Sequence, residues 1–216
     1  KDTDGAKRYL ELGKELYPAD QFWAAYELDI ARDEGDKAEL FKKYEAVLAG
    51  DPTNTSIRYN YAVELYTEGY KPEKAQRPAN SAELIAKAEE ELKKVVAEQP
   101  DYAAAYLVLG QIQYNQGVDF NNENKAIRPP QGGRLKPEEL KRKEELRGLI
   151  AQKFDAAVPY FEKVDQLLGS AGKLKMEQKS YLKDAYDLLI TIYDNKQDKD
   201  KVKFYEEKFN NVDKVH

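Results

Sequence analysis

The sequence predicts an all-α protein, with amphipathic helices running through its 216 residues. Three observations carry this. In Pro100–Gly117 the residues Tyr106, Leu109, Gly110 and Tyr114 share one helical face, and a glycine among them lets a second helix come close. Pro18, Pro52 and Pro100 each follow a segment of helical period, so the pattern recurs along the chain. With 35% of residues charged, the composition suits thin helical layers with much solvated surface.

Tyr106, Leu109, Gly110 and Tyr114, with Pro100 before them and Gly117 after, resemble helix A of a tetratricopeptide repeat (TPR), a unit of about 34 residues made of two antiparallel helices. The resemblance implies a right-handed superhelical solenoid of about nine helices, a single array over 1–216. Successive helices A would line a concave groove and helices B the outer wall.

Laid on the chain, the first fragment (residues 1–20) is a helix B alone, Ala6, Leu10 and Gly13 followed by Pro18, so its helix A is expected upstream of Lys1. The second unit, 21–54, opens at Gln21 and turns at Gly35 and Asp36 before Leu40, Tyr44, Val47 and Pro52. Its helix A carries Trp23, Tyr26 and Ile30 one residue ahead of the repeat pattern, with Glu27 and Leu28 at the usual leucine and glycine positions. A slightly rotated helix is expected. The third unit, 55–102, puts Tyr61, Ala62, Leu65 and Gly69 on helix A and Ala88, Leu92, Val95 and Pro100 on helix B. Between them an insert near 70–83, with Pro72 and Pro78, reads as an extended loop, and Asn80 with Glu83 predicts a capping box that restarts the helix.

In the fourth unit, 103–171, Gly117 is expected to end helix A, and an insert follows over 118–148. Val118 to Lys136 is rich in Asn, Pro and Gly, with Pro129-Pro130 and Gly132-Gly133, and reads as loop. Its apolar residues Phe120, Ile127 and Leu135 are expected to fold back over the groove beside Tyr114. Pro137 with Glu138 and Glu139 predicts a helix start. From there Leu146, Ile150, Phe154, Ala157, Phe161, Val164 and Leu168 keep helical period, so helix B should reach roughly 30 residues, about 45 Å, with a kink near Asp155 set by Pro159. The last unit, 182–216, carries Ala185, Leu189 and Ile192, then Tyr205 and Phe209, with Lys201 and Lys208 where alanines are usual. That polarity fits a terminal cap, with the natural C-terminus at or near His216.

Composition narrows the chemistry. With no cysteine and one histidine, His216, the chain offers no thiolate, no multi-histidine zinc site and no internal Ser/His/Asp triad. A formal net charge of −5 without long single-sign blocks gives no basic footprint for nucleic acid, and no apolar run reaches membrane-spanning length. The Asp119–Asn124 segment lacks the glycine and distal glutamate of an EF-hand and reads as a solvated turn. Glu89 to Glu91, and Glu206 with Glu207, read as solvated helix surface rather than acid–base pairs. No catalytic residue, metal or cofactor is therefore expected.

The TPR resemblance implies a non-catalytic scaffold that holds a protein or peptide partner in its groove. By position, Ser56, Tyr59, Asn60, Val63 and Tyr66 of one helix A and Ala104, Leu107, Gln111, Tyr114 and Asn115 of the next should line it. The same spacing also lets the tyrosines Tyr59, Tyr66 and Tyr114 pack between helices. The carboxylate clamp of chaperone-adaptor TPRs needs five polar or basic positions, and this chain offers Ala25, Asp29, Asn60, Ala104 and Val108, of which only Asn60 matches. Two other readings stand beside the scaffold: a self-assembling segment of a longer TPR protein, and a helical carboxylate-based hydrolase. The Asn, Lys and Tyr content and the large insert also resemble TPR proteins of Bacteroidetes-type bacteria, many of them exported, which implies the bacterial periplasm or cell envelope.

Overall fold

A computed structural model of the chain describes residues 2–18, 22–131 and 133–216. Gln21, the predicted start of the second unit, and Gly132 of the glycine pair lie outside the described residues. Among the described residues the protein is all-helical: α1 Thr3–Leu16, α2 Phe22–Glu34, α3 Lys37–Gly50, α4 Thr55–Gly69, α5 Ser81–Glu98, α6 Ala103–Ala126, α7 Pro137–Leu168, α8 Met176–Asn195 and α9 Lys199–Val215. They form two compact units, Lys1–Glu98 and Gln99–His216.

In the first unit each helix packs antiparallel on the next. Local chemistry sets the helix starts, since the Asp36 and Asn54 side chains accept from the backbone N–H of Glu39 and Ile57, both at 3.1 Å. Leu28, Ala31, Leu40, Tyr44, Tyr61, Leu65, Leu84 and Ala88 make the core, with Tyr44 stacked on Tyr61 at 5.2 Å. α2 is two-faced. Leu28 and Ala31 face this core, while Trp23 lies over Gly13 of α1 and Tyr26 is exposed. The predicted loop after Gly69 holds a short 3-10 turn, Lys74–Gln76, and helix resumes at Ser81, whose hydroxyl donates to the Gly69 carbonyl at 2.7 Å. One surface reading is corrected: Glu91 is buried and bonded to Arg58, so it is no part of a solvated acidic strip.

In the second unit α6 and α7 close like an antiparallel zipper. Phe161 covers Gly110, Phe154 covers Gly117, Lys153 donates to Gln113 at 3.1 Å, and Lys143 donates to the Asn124 carbonyl at 2.8 Å. The predicted helix end at Gly117 is therefore wrong. Gly117 is a contact glycine, its missing side chain leaving room for Phe154, and α6 continues to Ala126. Weak helix formers such as Asn121, Asn122 and Asn124 stay helical because α7 supports them: Arg142 bonds Glu123, and Lys143 also caps the Ile127 carbonyl at 3.2 Å. Phe120 accordingly packs on the helical core instead of folding back from a loop.

α7 has 32 residues, with Pro137 in its first turn and the Lys136 N–H bonded to the Glu139 carboxylate at 2.7 Å. Its helix runs on past Pro159. Ile150, Phe154, Ala157, Phe161, Val164 and Leu168 bury against α8 residues Leu182, Ala185, Tyr186, Leu189 and Ile192. Full burial of a side chain such as Phe161 contributes about 1.5–3 kcal/mol.

Side-chain pairs give the direction of the helices two apart. Tyr205 donates to Glu162 at 3.1 Å and Lys208 to Asp165 at 2.5 Å, so α7 and α9 run parallel. Tyr102 sits near Glu177 and Tyr114 near Asp187 and Thr191, so α6 and α8 run parallel as well. The unit is thus two layers, α6 with α8 and α7 with α9, antiparallel to each other. Lys201 and Lys208 lie over aromatic rings of α8 and α9, Lys208 at 5.6 Å from the Tyr186 centroid.

Candidate functional site

The layer made by α6 and α8 carries one half of the predicted groove residues. Helical spacing puts Leu107, Gln111, Tyr114 and Asn115 on one side of α6, and the structure separates them by depth. Leu107 belongs to the core at 4% exposure, and Ala104 and Val108 are buried too, whereas Gln111, Tyr114 and Asn115 are half-buried. Tyr114 packs between helices. Its ring stacks on Phe154 at 5.4 Å, while its hydroxyl reaches Thr191 and Asp187 of α8. Burial, with the Asp187 charge behind it, pushes this phenol up from its ordinary value.

Across from these residues, α8 presents Glu177, Asp184, Asp187 and Thr191 at helical spacing. Glu177 accepts a hydrogen bond from Tyr181, and burial of Tyr102 beside Glu177 raises that phenol. Asp184 is held above the usual aspartate range, first by partial burial and then by Asp187. Among the described residues neither Asp184 nor Asp187 has an ion-pair partner. The face therefore pairs amide and hydroxyl groups with two carboxylates that no cation neutralises. Chemically it can accept hydrogen bonds and hold a cationic group. The spacing of Asp184 and Asp187 was visible in the sequence, but only the α6 neighbour shows that they share a face with Tyr114.

The other half of the predicted residues lies on α4, in the first unit. Asn60 is exposed, and Tyr59, Val63 and Tyr66 are half-buried. Tyr66 stacks on Tyr70 at 5.6 Å, and Arg77 sits 4.3 Å above the Tyr70 ring, so this tyrosine packs within its own hairpin. Beside them Arg32 of α2 donates to Glu64 at 3.0 Å and to the Tyr44 hydroxyl at 2.8 Å, and Lys37 reaches Glu64 at 2.8 Å. Burial alone would raise Glu64, but the bonds from Lys37 and Arg32 outweigh it and leave the carboxyl lowered. This network closes its own charges, unlike the pair on α8. Sequence reasoning missed it because Arg32 and Glu64 belong to different predicted units.

Among the described residues no group of three or more His, Cys, Asp or Glu side chains is placed to hold a metal ion, and no helix is long and apolar enough to cross a membrane. No protein-family model matches the chain, and comparison with curated proteins finds no similar sequence.

Proposed function

We propose that the protein is a TPR-type scaffold that acts by binding rather than catalysis, and that its second unit receives a protein or peptide segment across the face shared by α6 and α8. The observation that carries this reading is the parallel pairing of α6 and α8 with Asp184 and Asp187 left without a cation. In a repeat stack, parallel helices of one layer present the surface on which an extended segment can lie. Gln111 and Asn115 make the face polar beside the carboxylates, and Tyr114 and Tyr102 supply aromatic area. Helix pairs with contact glycines, Gly110 under Phe161 and Gly69 against Leu84 and Ile85, support the repeat assignment. The segment bound would carry Lys or Arg to meet the two carboxylates.

Titrating the isotopically labelled protein with a lysine-rich peptide, and separately with a glutamate-rich one of equal length, tests this. Backbone shift changes centred on Gln111–Asn115 and Asp184–Thr191 with the basic peptide only, abolished by Asp184→Asn with Asp187→Asn, are the expected result. Equal response to both peptides, or shifts elsewhere alone, would sink it.

A further inference from the structure

The helix α1 lies in the first unit, separate in sequence from the α6–α8 face. Leu10 and Gly13 turn toward α2, where Gly13 receives Trp23. A different stripe of α1 remains uncovered: Tyr9 is 76%, Leu12 44% and Leu16 72% exposed. With Gly5 these residues follow the alternating four-and-three spacing of a coiled-coil seam, which is the pattern one helix uses to bury itself against another. Tyr9 also lines an open cleft of about 600 Å³ with Phe22, Trp23 and Tyr26, so the apolar surface continues onto α2. A stripe this apolar on a chain that is 35% charged calls for a cover.

The charges beside the stripe say which cover fits. Arg8 and Glu15 each precede a seam residue, Tyr9 and Leu16, and so flank the same side of it. Both are exposed, and among the described residues neither has an ion-pair partner, whereas Lys7 pairs with Glu34 and Lys14 with Glu27. In an antiparallel pair of helices, residues flanking the same side of the seam face each other. Two copies of α1 related by a twofold axis at Leu12 therefore set Arg8 of one against Glu15 of the other, twice. The surface is complementary to itself. We propose that the chain forms an isologous dimer through α1, with Tyr9, Leu12 and Leu16 as its apolar seam and Arg8 facing the partner copy's Glu15.

Sedimentation of the 216-residue chain is expected to show twice the 24.8 kDa mass, falling to the monomer for Leu16→Glu while circular dichroism stays unchanged. A form extended upstream of Lys1 should remain dimeric; a monomer there would assign the stripe to the upstream segment and overturn the proposal. Arg8→Glu should weaken the dimer roughly tenfold, because two pairs become repulsive at once, and Arg8→Glu combined with Glu15→Arg should restore it. The chain has no cysteine, so Leu12→Cys places a single thiol at the twofold axis and should oxidise to a covalent dimer. The exposed control Lys42→Cys on α3 should not. A monomer at every loading concentration, open-ended oligomers, or a dimer indifferent to Leu16→Glu and not cross-linked by Leu12→Cys would each overturn the proposal.

Discussion

A Cβ added at Gly110 would fall 2.4 Å from Cε1 of Phe161, a ring that is itself fully buried and cannot swing aside. Gly110→Leu should therefore cost about 1–3 kcal/mol, or roughly 2–4 °C of Tm per kcal/mol for a chain of this size. An unchanged melting temperature would contradict the α6–α7 packing. Arg58 tests a different balance, since it is the main cation facing the buried Glu91 carboxylate, with Lys94 a second donor at 2.9 Å. Arg58→Ala leaves that charge to Lys94 alone and should cost about 1–3 kcal/mol, whereas replacing Arg58 and Glu91 together by methionine should recover most of it. Denaturant unfolding of the three proteins distinguishes the cases. At Asp184 stability and the proposed binding oppose each other. Its carboxyl titrates above the ordinary aspartate value, through burial and Asp187, so folding favours the protonated form and stability falls as pH rises through its folded pKa. Asp184→Asn should hence raise Tm at neutral pH while weakening capture of a basic peptide. A fall in both would separate the carboxylate from the role given to it.

The helices were legible where one physical cause set them. The face of Tyr106, Leu109 and Gly110, the start of α7 at Pro137 and its length near 30 residues all followed from period and cap chemistry. What the sequence hid was tertiary support. Gly117 looks like a helix end because glycine is a weak helix former, yet the space it leaves is filled by Phe154, an aromatic far along the chain. The Asn-rich run after it looks like loop for the same reason. The site was half legible in the same way: spacing found Gln111, Tyr114 and Asn115, but not the α8 carboxylates beside them. The α6 extension rests on few bonds, and Lys143 holds the chief ones through the Asn124 and Ile127 carbonyls. Lys143→Ala is expected to fray the last turn of α6, so amide hydrogen exchange should quicken over residues 122–126 with little change in global Tm. Unaltered protection there would mean that helix propensity, not α7, sustains the extension.

At the scale of the molecule, tyrosines packed in both units tie stability to pH. Tyr44, Tyr61, Tyr102, Tyr114, Tyr186, Tyr193 and Tyr205 titrate above their ordinary value, each raised first by burial. Tyr44 and Tyr61 belong to the first unit, with Tyr61 pushed to about 12, while Tyr102, Tyr114, Tyr186, Tyr193 and Tyr205 belong to the second. Three of the latter five meet the carboxylates Asp165 and Glu162, whose charge opposes ionisation further. An unfolded tyrosine releases its proton near pH 10, so above that the unfolded chain binds fewer protons than the folded one and stability must fall. Each raised group contributes about 1.4 kcal/mol of loss per pH unit until its folded pKa is reached. In the second unit Tyr186, Tyr193 and Tyr205 should therefore cost stability as the pH rises above about 10, and in the first unit Tyr44 and Tyr61 should do the same. Trp23 is the only tryptophan and reports the first unit alone, whereas helical circular dichroism reports both. On raising the pH above about 10, ellipticity should fall and the Trp23 emission maximum should move to the red. Both signals holding steady well above that pH would show that the raised tyrosines do not govern the alkaline response.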